Sequence, residues 1–133
     1  MDDKVDATII ITVIRLRSTG FGLLEADCYF YAKPLGETEW VTKDGNITTP
    51  PGVGKNIIKF EFKCPGTFFC GLKVAPLPRC LDISLNSDKT VLTWNEHIPK
   101  KDWQCSYCLA ISNDVNCSKL YWCDPMIYSK GDG

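Results

Sequence analysis

Ile58-Lys59-Phe60-Glu61-Phe62-Lys63-Cys64 alternates apolar and charged residues without a break. Successive side chains of an extended chain point to opposite faces, so Ile58, Phe60, Phe62 and Cys64 share one face and Lys59, Glu61 and Lys63 the other. That is the pattern of a half-buried antiparallel strand. After Pro65-Gly66 the alternation resumes with Phe68, Cys70, Leu72 and Val74 inward, which predicts a hairpin with Cys64 and Cys70 near its turn. Leu81, Ile83 and Leu85 face inward before the turn Asn86-Ser87-Asp88-Lys89, and Leu92 and Trp94 return, which predicts a second hairpin.

The same reading extends to both ends of the chain. Thr8-Ile9-Ile10-Ile11-Thr12-Val13-Ile14 is rich in β-branched residues and predicts a strand buried on both faces, with Arg15 and Arg17 emerging on one side. Cys28 to Ala32 reads as a strand ended by Pro34 and Gly36, and Glu39 to Lys43 as a short one closed by Asp44-Gly45. Trp103 to Ile111 and Cys117 to Cys123 form a further hairpin. No long segment carries the 3.6-residue apolar period of a helix, although His97 to Lys101 could form a single turn. The expected fold is all-β: a single domain over residues 1–133, a disulfide-stapled antiparallel β-sandwich or barrel of about seven to nine short strands.

The chain has 133 residues and eight cysteines, Cys28, Cys64, Cys70, Cys80, Cys105, Cys108, Cys117 and Cys123. An even count at this density points to four disulfides and an oxidising, extracellular location, with a connectivity that about 105 pairings leave open. At this length a core can form without staples, so the bridges add stability rather than replace a core. Cys105-Ser106-Tyr107-Cys108 has the spacing of redox dithiols and zinc sites. Its flanks read as strand rather than helix N-terminus, and Cys117 and Cys123 are too far apart for the second half of a regular zinc site. Structural bridges, with no metal and no cofactor, are the expectation.

Fifteen basic and sixteen acidic side chains leave a net charge of -1 and are interleaved along the chain. Lys55, Lys59, Lys63 and the pair Lys100 and Lys101 are too sparse for a phosphate-tracking surface, so nucleic acid is not expected as a partner. Ala7 to Ile14 is too short to span a bilayer and lacks the features of a signal peptide. Gly52-Val53-Gly54-Lys55 departs from the phosphate-loop pattern at Thr49 and Asn56, and no Gly-x-Ser-x-Gly elbow occurs.

A binding function is the main expectation, with a protein or glycan partner and a monomer or weak dimer. Asp44 to Lys55 holds two prolines and three glycines without apolar period, as binding loops often do. Trp40 flanks it. Trp40, Asn46, Val53, Lys55 and Tyr121 are the candidate contact residues. Trp94 and Trp122 are expected in the core, and Tyr121 opposite Trp122 on the surface. Asn46-Ile47-Thr48 and Asn116-Cys117-Ser118 match the glycosylation acceptor pattern. The alternative is a small secreted hydrolase, ribonuclease-like, that uses the single histidine His97 with a carboxylate such as Glu61 or Glu96.

The stretches Thr8 to Arg15, Asp27 to Phe30, Trp40 to Lys43 and Phe60 to Phe62 also resemble a C2 domain over about half the chain. That resemblance implies a β-sandwich with calcium and phospholipid sites on its loops. The loop aspartates would map to Asp27 and Asp88 alone, which falls short of the six to eight oxygens calcium takes.

Overall fold

A computed structural model describes residues 3–18, 24–33, 43–49, 54–75, 81–98, 103–123 and 126–129. They form ten strands: β1 (Asp3–Ser18), β2 (Leu24–Lys33), β3 (Ile47–Thr49), β4 (Gly54–Phe62), β5 (Phe68–Ala75), β6 (Leu81–Leu85), β7 (Val91–Ile98), β8 (Trp103–Ser112), β9 (Tyr121–Cys123) and β10 (Met126–Ser129). The all-β expectation holds, and no described residue is helical. His97 and Ile98 belong to β7, while residues 99–101 of the expected helical turn lie outside the described residues. No helix among the described residues is long and apolar enough to cross a membrane.

The strands make one sheet curled into a nearly closed barrel. β9 and β10 continue one another along the same edge of β8. Leu109 is level with Cys123 and Ser106 with Met126, so the antiparallel register is identical on both sides of the break. Counting β9 and β10 as one, the barrel runs β5, β8, β9/β10, β2, β1, β4, β7, β6. Its two free edges, β5 and β6, are tied at one end by the Phe69 amide, which donates to the Lys89 carbonyl at 2.8 Å. β3 pairs with β10, and the Lys43 carbonyl accepts from the Phe30 amide, so residues 43–49 fill the space between β10 and β2.

The sheet is mixed rather than purely antiparallel. β1 pairs with β4, β2 with β9, and β3 with β10 in parallel. The expected hairpin of β6 and β7 is present, with Leu85 opposite Leu92, and so is the β8–β9 hairpin. The expected hairpin of β4 and β5 is not. β1 and β7 occupy both edges of β4, and β5 pairs with β8 instead. Residues 63–67 therefore carry the chain across the barrel end, and the rings of Phe62 and Phe69 stack beneath that crossing with centroids 4.2 Å apart.

The interior is filled from all sides by Ile9, Ile11, Phe30, Ile58, Phe60, Phe69, Leu92, Trp94, Tyr107, Leu109 and Ile111. The Tyr107 ring lies 5.8 Å from Phe60 and 6.0 Å from Trp94, which joins β8 to the opposite wall. The register of β5 slips between Phe69 and Gly71, so Phe69 rather than Phe68 is buried, as a bulge turns neighbouring side chains over.

One bridge of the expected framework is present among the described residues, Cys70–Cys117, with Cα atoms 5.8 Å apart. The crossing separates Cys64 from Cys70, so those two are not paired, and Cys28 and Cys64 carry thiols. Cys80 lies outside the described residues, and Cys105 is described only as a position in β8.

Candidate binding surface

Strand directions sort the connections to two ends of the barrel. At the end where β1 finishes and β2 begins, the turns 63–67, 86–90 and 113–120 connect β4 to β5, β6 to β7 and β8 to β9. These turns are fastened to one another. Cys117 is bridged to β5, Lys89 Nζ donates to the Val115 carbonyl at 3.1 Å, and Lys89 and Cys117 are both in the left-handed region with φ of 60° and 57°. Non-glycine residues adopt that conformation only where the surroundings hold them, as the bridge and the ammonium tie do here. Asp114 fixes the 113–118 turn by accepting from the Ser118 hydroxyl and the Asn116 amide, and these bonds hold its carboxyl below the usual aspartate range.

At the opposite end β3, β5 and β7 finish and β4, β6 and β8 begin, and two of the expected contact residues, Asn46 and Lys55, lie towards it. Lys55, at the start of β4, is exposed and stands directly across from His97 of β7. The next residues inward, Asn56 and Glu96, are also opposite each other but point into the barrel, because side chains alternate. Both are fully buried, and the Asn56 side-chain amide donates to the Glu96 carboxylate at 2.9 Å. Among the described residues, Asn56 Oδ1 and the Trp94 indole N–H have no hydrogen-bond partner. A polar layer thus floors this end above the aromatic interior. Asn46 is exposed, and the neighbouring Gly45 carbonyl accepts from the Tyr107 hydroxyl at 2.9 Å, which pins residues 43–46 to the interior. Trp40 and Val53 lie outside the described residues.

Tyr121 does not join this group. It sits across from Ile111 near the fastened end, half-buried and packed on the core, while Trp122 turns outward. The expected roles of the two aromatics are exchanged, because Cys123 is buried and shares the phase of Tyr121. The Trp122 ring carries the Lys73 ammonium 4.6 Å from its centroid. Ala110 lies opposite Trp122, and Gly71 opposite Ala110, so small residues on β8 and β5 make room for this outer platform.

The carboxylates proposed as partners of His97 are not brought to it. Glu96 is on the other face of the same strand. Glu61 is six residues along β4 from Lys55, roughly 20 Å at the rise of a strand. Of the two aspartates singled out for calcium, Asp27 is held by Arg15 at 2.5 Å and Arg17 at 3.1 Å, and Arg17 also reaches Glu25. No group of three or more metal-ligating side chains occurs among the described residues. In the second glycosylation pattern Cys117 is bridged and the Ser118 hydroxyl is engaged by Asp114. Comparison with protein-family models, with curated proteins and with solved structures finds no match to this chain.

Proposed function

We propose that this chain is a secreted, disulfide-stapled β-barrel protein that acts by binding another protein or a glycan, not by catalysis, as small secreted effectors, allergens and toxins do. The observation that carries this reading is the exposure of Asn46 and Lys55 on a barrel whose interior and turns are tied together. The Cys70–Cys117 bridge and the Lys89–Val115 tie brace the frame, and Asn46, next to the anchored Gly45, and Lys55, at the start of β4, are exposed on it. Loops carried on a rigid frame are the usual place for recognition.

The test is a screen of labelled protein against immobilised glycans and extracellular proteins, followed by titration of any hit with the Lys55→Glu, Trp40→Ala and Val53→Ala variants. The reading expects at least about a tenfold loss of affinity in one of them, the scale of a single contact hot spot. Unchanged affinity in all three would move the interface elsewhere, with Trp122→Ala next. Turnover of RNA or a glycan that His97→Ala abolishes would replace binding with hydrolysis.

A further inference from the structure

Among the described residues β2 and β9 meet at one registered pair, Glu25 opposite Trp122. In this parallel register Cys123 falls beside Ala26, and Cys28, two residues further along β2, shares the same face. That face is the inner one. Ala26 and Cys123 are buried in the core and Cys28 packs against it, whereas Asp27 is engaged by the arginines outside and Tyr29 is exposed. The two side chains interact across the seam, and that interaction lowers the Cys28 thiol.

We propose that Cys28 and Cys123 are a reactive dithiol that closes to a disulfide across the β2–β9 seam when the protein meets a low-molecular-weight disulfide such as oxidised glutathione. Half-buried Cys28 attacks first. Its thiolate displaces one thiolate from the oxidant and forms a mixed disulfide, and the Cys123 thiolate then attacks Cys28 Sγ and expels the second. The two cysteines lose two electrons and two protons, and the oxidant leaves as two thiols. The interaction with Cys123 holds Cys28 below the ordinary thiol value of 9.0 in spite of burial and the nearby Asp27 charge, which favours the attacking form. The two cysteines are diagonal neighbours on the inner face of adjacent strands, so closure asks for a local shift of β9 towards Cys28 rather than a new strand pairing. This inference does not depend on what the protein binds.

The experiment uses the full chain, fully reduced, refolded, and exposed to oxidised glutathione. Remaining thiols are alkylated with iodoacetamide, and the protein is digested with and without prior reduction for mass spectrometry. A peptide pair joining Cys28 to Cys123, lighter by two hydrogens than the sum of its parts and lost on reduction, is the expected result. Hydrogen exchange at the Glu25 and Trp122 amides should slow by about tenfold or more between the reduced and oxidised forms, as a seam that opens by itself becomes cross-linked. Cys28→Ser should retain the Cys70–Cys117 bridge and lose the second one. Alkylation of both Cys28 and Cys123 after oxidation would overturn the proposal, as would a bridge from either to Cys64 or Cys108.

Discussion

Asn56 and Glu96 face one another across β4 and β7 inside the barrel, amide to carboxylate at 2.9 Å, at positions no water reaches from outside. A carboxylate in such a place depends on its donors, because removing one leaves the desolvation cost uncompensated. Asn56→Ala should therefore lower stability by about 1–3 kcal/mol, read from the urea midpoint at constant slope. Glu96→Gln, which keeps an oxygen that can accept from Asn56, should lose less. A larger loss in Glu96→Gln than in Asn56→Ala would show that the carboxyl group holds this end of the barrel through more than its bond to Asn56.

The hydroxyl of Tyr107 ties residues 43–46 to the core through the Gly45 carbonyl. Tyr107→Phe keeps the ring contacts with Phe60 and Trp94 and should cost about 1 kcal/mol. Its specific signature is local. Backbone amides around Asn46 should exchange faster while those of β4 and β7 keep their protection, and uniform loss across the barrel would contradict a local anchor.

Cys70 and Cys117 are 47 residues apart in sequence. In the chain-entropy model closing a loop of that length stabilises the fold by about 4 kcal/mol. The Cys70→Ser/Cys117→Ser double variant should lose that order of stability, and the turn around Lys89 should loosen with it. A loss below about 1 kcal/mol would mean that the remaining ties already hold this end.

Asp27 is held below its ordinary value of 3.8, first by the hydrogen bond from Arg15 and then by Arg17, with desolvation acting the other way. A depressed folded-state pKa contributes stability that is whole above the unfolded value and is lost as pH falls through the folded one. A carboxyl-carbon NMR titration should place the Asp27 midpoint below 3.8. In Arg15→Gln/Arg17→Gln it should return towards that value, and an unchanged midpoint would remove the guanidinium groups as its cause.

The strands were legible where one face is buried and the neighbour along the chain is also the neighbour in space. Leu81 to Trp94 is such a case, since its two alternating runs and the Asn86–Lys89 turn are local signals. Ile58 to Phe62 was legible as a strand but not in its partners, because its neighbours are β1, some fifty residues earlier, and β7. A parallel pair leaves no local mark. Phase was lost where the backbone carries an extra residue, as between Phe69 and Gly71, and in β9, which is too short for an alternation to declare its face. Of the candidate surface, the sequence placed Lys55 and Asn46 in one loop region, and both are exposed. It did not reveal the Asn56–Glu96 layer, whose polar residues are inside only because β4 and β7 happen to pair in that register.

The β9/β10 strand joins β8 on one edge to β2 and β3 on the other, and it is the last of the ten to be synthesised. Until it arrives, the growing chain holds a curled sheet with unpaired backbone along both β2 and β8, the kind of edge that recruits strands from other molecules. Acquisition of the native barrel must then wait for residues 121–129 to leave the ribosome. Any interruption of translation before that point would release a species prone to aggregate rather than a smaller folded protein.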